Sequence, residues 1–290
     1  MVNKDTDTRS AIKNALVVEG GAMRGIFSTG VLDTFLREGF NPFDLCIGVS
    51  AGAGNIAAFL ADMYQRNYKI YTDYSLRSEF ISWKKFFAGG HLIDLDWLWD
   101  VTIREIRLDL KKLFNHKKDF FIVATSVETG RAIYLQPDEK TCEEYLKASS
   151  ALPLLYRKFS MIDGMMMTDG GIADSVPVIE AHRRGAQNIM VIRSRHSDYV
   201  KKNGALTTIQ AAILGKYPNL SHAMRNRAAV YMKSIGFIKH PPAGVRVIEV
   251  SPPDSFKTSR LTKDISVLER DYLIGLREGT RAIARWHSVI

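Results

Sequence analysis

The chain has 290 residues, of which 46% are hydrophobic and 24% charged, so it can bury the core of an ordinary globular protein. Its two cysteines, Cys46 and Cys142, exclude a disulfide framework and a zinc site, and they are typical of a reducing compartment. The net charge of +9 suits an anionic surface, but no zinc-finger or RNA-binding signature accompanies it. We therefore expect no nucleic-acid partner.

The N-terminal segment, residues 1–13, is polar and mixed in charge, and we expect it to be a flexible tail. It lacks the apolar centre of a signal peptide, and no later stretch reaches the length of a membrane span. These features predict a cytoplasmic protein.

Strand and helix signals alternate in the first part of the chain. In order, the predicted elements are a strand at Ala15–Val18, a glycine-rich loop, a helix that carries Phe27, Val31 and Phe35 and ends at Gly39, a strand at Phe43–Ile47, and a helix at Ala51–Met63. Such alternation predicts a parallel sheet covered on both faces.

Residues 64–114 are less regular and rich in aromatic side chains. Beyond them we predict a strand at Phe120–Ala124 paired with Arg131–Leu135, helices at Cys142–Ala148 and Val178–Arg184, a strand at Ile189–Ile192, helices at Leu206–Leu214 and Ser221–Ile235, a strand at Val245–Val250, and a terminal helix from Val267. The sequence has no internal repeat and no low-complexity linker.

Ser50 lies in the motif Gly48-Val49-Ser50-Ala51-Gly52, between an apolar run and a helical stretch. This order predicts a nucleophile elbow, in which the hydroxyl projects from a sharp strand-to-helix turn. Side chains at Gly48 or Gly52 would crowd the neighbouring strand and helix. The alternative at this point is a tight turn with an ordinary serine.

The loop after the first strand contains Gly20, Gly21, Ala22, Met23, Arg24 and Gly25. Small residues before a helix let backbone N–H groups form an anion pocket, which suits either a phosphate or an acyl oxyanion. The dinucleotide and Walker phosphate patterns do not match this loop. If Ser50 is a nucleophile, the remaining interpretation of the loop is an oxyanion hole. The alternative is a glycine-rich turn with only a packing role.

A serine nucleophile needs a base. Four histidines follow Asp169 in the chain, but none lies in a turn or at a strand end that recommends it: His182, His196, His222 and His240. Asp169 ends an apolar stretch, and Gly170 and Gly171 after it permit an unusual backbone path. The tripeptide Asp-Gly-Gly is also common in ordinary turns.

Taken together, the glycine loop, the serine motif and Asp169-Gly170-Gly171 resemble the patatin-like phospholipases in order and spacing. Further matches are Ala124-Thr125-Ser126 with Thr129-Gly130, Ala148 to Pro153, and Asp174-Ser175-Val176-Pro177. The resemblance is convincing from Ala15 to Arg193 and looser beyond. It implies an α/β fold, a three-layer α/β/α sandwich with a mostly parallel central sheet, with a catalytic domain at residues 14–200 and a mostly helical C-terminal region at 201–290 packed on it.

The resemblance also assigns roles. Ser50 would be the nucleophile and Asp169 its sole partner, with backbone N–H groups of Gly21, Ala22 and Met23 as oxyanion donors. The chain departs from the family at Ala22, where a third glycine is usual, and a methyl group there is tolerable if φ is negative. Arg24 would either anchor the loop or face an anionic substrate.

The function implied is a serine lipid acyl hydrolase of the phospholipase A or lysophospholipase type, with a lipid acyl ester as substrate and no metal or other cofactor. Aromatic residues alternate with lysines in the stretch 79–99, which would either pack over the active site or contact an anionic membrane surface. The apolar stripe of the terminal helix indicates that this helix docks on the protein core rather than on a membrane. The alternative function is a membrane-surface lipid-binding protein that has lost catalysis.

Overall fold

The computed structural model describes residues 13–290. The expected tail, residues 1–13, therefore lies outside the described residues apart from Lys13, which begins the first strand.

The strands are β1 (Lys13–Val18), β2 (Leu45–Val49), β3 (Asp119–Ser126), β4 (Ala132–Leu135), β5 (Ser160–Ile162), β6 (Met165–Asp169), β7 (Ala186–Ile192) and β8 (Arg246–Val250). The helices are α1 (Gly25–Arg37), α2 (Ala51–Leu60), α3 (Arg66–Thr72), α4 (Trp83–Phe87), α5 (Leu95–Glu105), α6 (Leu110–Phe114), α7 (Cys142–Ser150), α8 (Val178–Arg183), α9 (Ala205–Ile213), α10 (Pro218–Lys239) and α11 (Ile265–Val289). None of these helices is long and apolar enough to cross a bilayer.

A single eight-stranded sheet runs through the molecule. Its parallel strands lie in the order β3-β2-β1-β7-β8. Both faces are covered because successive side chains point to opposite sides. In β1, Leu16 and Val18 pack under α1, α2 and α11, whereas Ala15 and Val17 pack against α8 and α10. The predicted three-layer α/β/α fold is confirmed.

The antiparallel strands bring β6 to the end of β2. At one edge of β3, Val49 of β2 pairs with Val123, and Asp169 of β6 pairs with the next residue, Ala124. Strand β4 occupies the opposite edge at these positions, so β2 and β6 meet end to end along β3. Ser50, one residue beyond β2, therefore comes next to Asp169 although the two are far apart in sequence.

Several sequence expectations need correction. The hairpin β5–β6 was not predicted, because its methionine-rich sequence shows no alternation of polar and apolar residues. The stretch 64–114 is mostly helical rather than irregular. The helix after Ser50 ends at Leu60, before Met63, and the second strand begins at Leu45, two residues after Phe43.

The C-terminal region joins the sheet and helps to cover both of its faces, with α11 on one and α10 on the other. Strand β8 extends the parallel set beyond β7, and α11 crosses α1 at glycines. A Cβ atom on Gly30 would lie 2.4 Å from the Tyr272 carbonyl oxygen, and one on Gly275 would lie 2.4 Å from that of Phe27. The terminal helix thus docks on the core, as the sequence favoured.

Candidate active site

Ser50 lies at the junction of β2 and α2 with a strained backbone, φ 52° and ψ −128°. A Cβ atom on Gly48 would lie 2.4 Å from Cα of Ala53, and one on Gly52 would lie 2.5 Å from the Val18 carbonyl oxygen. The strand-to-helix turn can close this tightly only because Gly48 and Gly52, two residues before and after Ser50, carry no side chains.

A second serine holds the turn in place. The Ser50 backbone N–H donates to Oγ of Ser149 over 2.7 Å, and the Ser149 hydroxyl donates to the Val123 carbonyl oxygen over 2.6 Å. Ser149 is fully buried on α7, so it ties the elbow to β3. The sequence motif Ala148 to Pro153 contained this residue, but nothing in the sequence assigned it a role.

Asp169 is buried at the end of β6. Its Oδ1 accepts the Gly171 N–H over 2.9 Å, and its carbonyl oxygen accepts the Thr125 hydroxyl over 2.8 Å. The backbone of Gly170 packs directly against β3, because a Cβ atom there would be 2.1 Å from the Val123 carbonyl oxygen.

Burial raises the pKa of Asp169 above its usual value. The charge of Arg227 and the nearby Ser50 hydroxyl oppose that shift without cancelling it. The carboxyl group therefore has an increased affinity for a proton.

The glycine loop runs beside Ser50. Within residues 13–290, the backbone N–H groups of Gly21 and Ala22 donate to no protein acceptor, whereas that of Met23 donates to the Arg260 carbonyl oxygen over 3.4 Å. A Cβ atom on Gly20 would lie 2.8 Å from the Val49 carbonyl oxygen. Two of the three expected donors thus have no hydrogen-bond acceptor among residues 13–290.

The methyl group of Ala22 would be tolerable at a negative φ, and the structure does not meet that condition. The φ of Ala22 is +50°, in the left-handed region that favours glycine. The departure from the family's third glycine therefore places strain in the loop.

Arg24 anchors the loop from behind. It is 4% exposed, and its guanidinium donates to the Ser194 carbonyl oxygen over 3.0 Å and to the Ser194 hydroxyl over 3.1 Å. The Ser194 N–H in turn donates to Glu19 over 2.7 Å. At Gly25 a Cβ atom would collide with the Tyr71 hydroxyl at 2.1 Å, so the helix α1 begins in close contact with α3.

An apolar cavity of about 160 Å³ opens from Ser50 and Ala22. Its walls come mainly from the segment 70–108 and from α7, and include Phe80, Ile93, Leu98, Trp99 and Leu146. A cavity of this size is comparable to an apolar cavity that holds a benzene ring, about 150 Å³.

A second, polar cavity of about 30 Å³ lies on the other side of Ser50 and also contacts Asp169. Lys201, Arg227 and Arg260 reach it from three separate parts of the C-terminal region. Sequence reasoning missed these three residues, and their spacing carries no signal that could have found them. The segment Arg193-Ser194-Arg195 does carry such a signal, because it directly follows a buried parallel strand, a position where functional residues often lie.

The histidines lie elsewhere. Neither cavity is lined by a histidine. His182 contacts Phe237 and the Ala186 carbonyl oxygen, and His222 is exposed beside Asn226. His196 packs against Tyr199.

Comparison with known proteins gives a family. A model described as patatin-like phospholipase matches residues 16–182, and one described as a domain of unknown function (DUF6363) matches residues 217–290. The uncharacterized protein YjjU of Escherichia coli is 35% identical over 90% of this chain and 74% of its own length. Lysophospholipase NTE1 of Candida albicans is 24% identical over 94% of this chain, which spans only 20% of that protein.

Among solved structures, VipD from Legionella pneumophila is similar, with a TM-score of 0.47, 14% identity, and coverage of 94% of this chain and 67% of VipD. The first family model covers more than half of the chain and contains the serine motif, the glycine loop and Asp169. The chain belongs to the patatin-like phospholipase family.

Proposed function

We propose that the protein is a serine lipid acyl hydrolase that cleaves carboxylic esters through a Ser50–Asp169 dyad. Family membership supports a lipid hydrolase, and the fungal relatives are named lysophospholipases. The observation that carries the proposal is the end-to-end meeting of β2 and β6, which brings Ser50 next to Asp169, with an apolar cavity opening from Ser50.

In the acylation step, Ser50 Oγ attacks the ester carbonyl carbon and its proton passes to the Asp169 carboxylate. Burial helps this transfer, because it disfavours the charged carboxylate relative to the neutral acid. The negative charge on the carbonyl oxygen is received by the N–H groups of Gly21 and Ala22.

The tetrahedral intermediate then collapses. The bond to the alcohol oxygen breaks, and the proton on Asp169 passes to that oxygen, so the alcohol leaves neutral. Water next attacks the acyl-serine, giving its proton to Asp169 and passing through a second oxyanion in the same loop. Release of the fatty acid returns the proton to Ser50.

An aspartate base without histidine agrees with the absence of histidine from both cavities. The acyl chain would occupy the apolar cavity, whose volume encloses roughly six carbon atoms. Longer chains would extend beyond it.

Hydrolysis of a series of acyl esters by wild type, Ser50→Ala and Asp169→Asn tests the proposal. We expect both variants to lose at least about 100-fold in kcat while remaining folded. Ser150→Ala is the matched control, since Ser150 lines the same cavity with its hydroxyl bound to a helix carbonyl oxygen, that of Leu146. Turnover that survives Ser50→Ala would overturn the proposal, and lipid binding without any turnover would favour the vestigial binding protein.

We further propose that α4 contacts the membrane surface. Trp83 and Phe87 on this helix are 55% and 81% exposed, and Lys84 lies exposed between them. Neighbouring Phe80 and Ile81 line the apolar cavity, so one short segment would face the bilayer outside and the acyl chain inside.

Sedimentation with vesicles rich in anionic lipid tests this contact. Phe87→Ser should reduce the bound fraction several-fold, because about 2 kcal/mol of apolar transfer free energy is lost. Ile209→Ser is the control, since Ile209 is also an exposed apolar residue, at 55%, but lies on α9. Equal binding by wild type and Phe87→Ser would contradict the proposed contact.

A further inference from the structure

The polar cavity beside Ser50 carries an excess of positive charge. Four basic side chains line it, Arg24, Lys201, Arg227 and Arg260, against two carboxylates, Glu19 and Asp169. An ester whose carbonyl lies at Ser50 borders both cavities at once, because Ser50 and Ala22 line each of them.

These cations are not neutralised by ion pairs within residues 13–290, where the ion pairs involve other residues. Arg227 donates to the Gly171 carbonyl oxygen over 2.6 Å, and Lys201 donates to the Ser175 hydroxyl over 3.4 Å. Arg24 donates to Ser194. Their hydrogen-bond partners are neutral oxygens, so Glu19 and Asp169 offset the positive charge only in part.

Burial and mutual repulsion lower the pKa values of the basic groups in the cavity. Burial first, and then the charge of Arg227, lowers the pKa of Lys201 to about 6, so Lys201 is largely neutral at pH 7 and would take up a proton when an anion binds. Burial also lowers the pKa values of Arg24 and Arg227, and the charge of Arg260 adds to both shifts. An anion in the cavity would relieve this repulsion.

We propose that this cavity binds the phosphate of the substrate headgroup, and that the enzyme prefers acyl esters of glycerol phosphate to neutral and zwitterionic acyl esters. The inference rests on the proposed hydrolase function for its substrate, and on the cation cluster for its selectivity. A glycerol unit links the ester carbonyl to the phosphate, and Ser50 lines both cavities.

The cluster favours an anionic headgroup over choline or ethanolamine. Each carboxylate in the cavity already accepts a hydrogen bond, Glu19 from the Ser194 N–H and Asp169 from the Gly171 N–H, and the cations around them repel an ammonium group. A phosphomonoester carries up to two negative charges and acceptor oxygens for several donors. Guanidinium and ammonium groups together match that chemistry.

Binding to catalytically disabled protein tests the subsite independently of turnover. Short-chain acylglycerol phosphate, the matching acylglycerophosphocholine, the matching monoacylglycerol and inorganic phosphate are titrated calorimetrically into Ser50→Ala, each lipid below its micelle concentration. We expect acylglycerol phosphate to bind about 10- to 100-fold more tightly than either other lipid. Equal affinity for the three lipids would overturn the proposal.

Adding Lys201→Met or Arg260→Gln to Ser50→Ala should reduce that preference to less than about threefold. Arg260 is exposed, so its variant keeps the test valid if Lys201→Met fails to fold. Lys202→Met removes the same charge at an exposed neighbour that does not line the cavity, and should leave the preference unchanged.

Three further outcomes separate the possible failures. If inorganic phosphate binds as tightly as acylglycerol phosphate, the cavity is a site for free phosphate and the headgroup proposal is wrong. If wild type hydrolyses all three lipids with equal kcat/KM, the subsite is wrong and the hydrolase function stands. If Ser50→Ala shows the preference but wild type hydrolyses nothing, the subsite stands and the hydrolase function is wrong.

Discussion

Asp169 combines two properties that oppose each other, a buried position and a charge that the proposed mechanism needs. Because its pKa is raised, Asp169 becomes protonated at a higher pH than an exposed aspartate does. In the proposed mechanism, the protonated group cannot accept the serine proton. We expect kcat/KM to fall below a pKa higher than the usual aspartate value, with Asp169 as the group that titrates. A pH–rate profile measures this pKa; a limb at the ordinary aspartate value would contradict the assignment.

The same shift has a consequence for stability. A carboxyl group with a raised folded-state pKa stabilises the fold below its unfolded pKa and loses that contribution as pH rises through the folded value. At pH 7, Asp169→Asn should therefore unfold at a higher temperature than wild type while losing activity, since the amide oxygen can still accept the Gly171 N–H. The difference in melting temperature should shrink on acidification to pH 4.

Ala22 offers a second test at the level of one residue. At φ +50°, its Cβ atom costs about 1 kcal/mol, which glycine would remove. Ala22→Gly should therefore leave the free energy of unfolding unchanged or raise it by up to about 1 kcal/mol, after the greater entropy of glycine in the unfolded chain is included.

Ala284→Gly is the control for this substitution, because Ala284 is exposed in the regular helix α11. There we expect a loss of about 1 kcal/mol. Urea denaturation measures both variants; equal destabilisation at the two positions would show that Ala22 carries no strain.

At the level of elements, the crossing of α1 and α11 depends on glycine contacts. Gly30→Ala should destabilise the protein by roughly 1–3 kcal/mol, because the added carbon would overlap the Tyr272 carbonyl oxygen of the facing helix. Gly236→Ala, on the exposed face of α10 with no atom near its added carbon, should instead stabilise by up to about 1 kcal/mol. Chemical denaturation distinguishes the two signs, and a neutral Gly30→Ala would contradict the close crossing.

The sequence predicted the elements that carry motifs and missed those without a periodic pattern. Strands β1 and β2 and helices α1 and α2 were predicted because apolar runs alternate with glycine turns. Helices α4, α5 and α6 were missed although each begins at a capping side chain, Ser82, Asp94 or Asp109. Their short lengths and dense aromatics obscured the helical period.

The residues of the candidate site were likewise predictable only where they lie in motifs. Ser50, the glycine loop and Asp169 each lie in a motif, so sequence alone could name them. Lys201, Arg227 and Arg260 come together only through the packing of a loop, of α10 and of the segment before α11. Asp271 on α11 holds that segment by accepting the Thr258 N–H over 2.7 Å, a long-range contact that no local pattern announces.

At the scale of the whole molecule, residues 201–290 complete both the core and the site. They supply β8, the cover over α1 and three of the four basic side chains in the polar cavity. We propose that the catalytic region 14–200 and the C-terminal region 201–290 fold as one unit. A chain that ends at residue 200 should then lose cooperative thermal unfolding, because it exposes the apolar face of α1. Circular dichroism measures the transition; a cooperative melt of the shortened chain would contradict a single unit.

The central claim is that Ser50 is the nucleophile and that Asp169 activates it. Its most direct test is intact-protein mass spectrometry after treatment with a fluorophosphonate, followed by mapping of the modified residue. We predict one adduct on Ser50 in wild type, labelling at least about 100-fold slower in Asp169→Asn, and no adduct in Ser50→Ala. An adduct on another residue, or labelling of Ser50→Ala at the wild-type rate, would contradict the account.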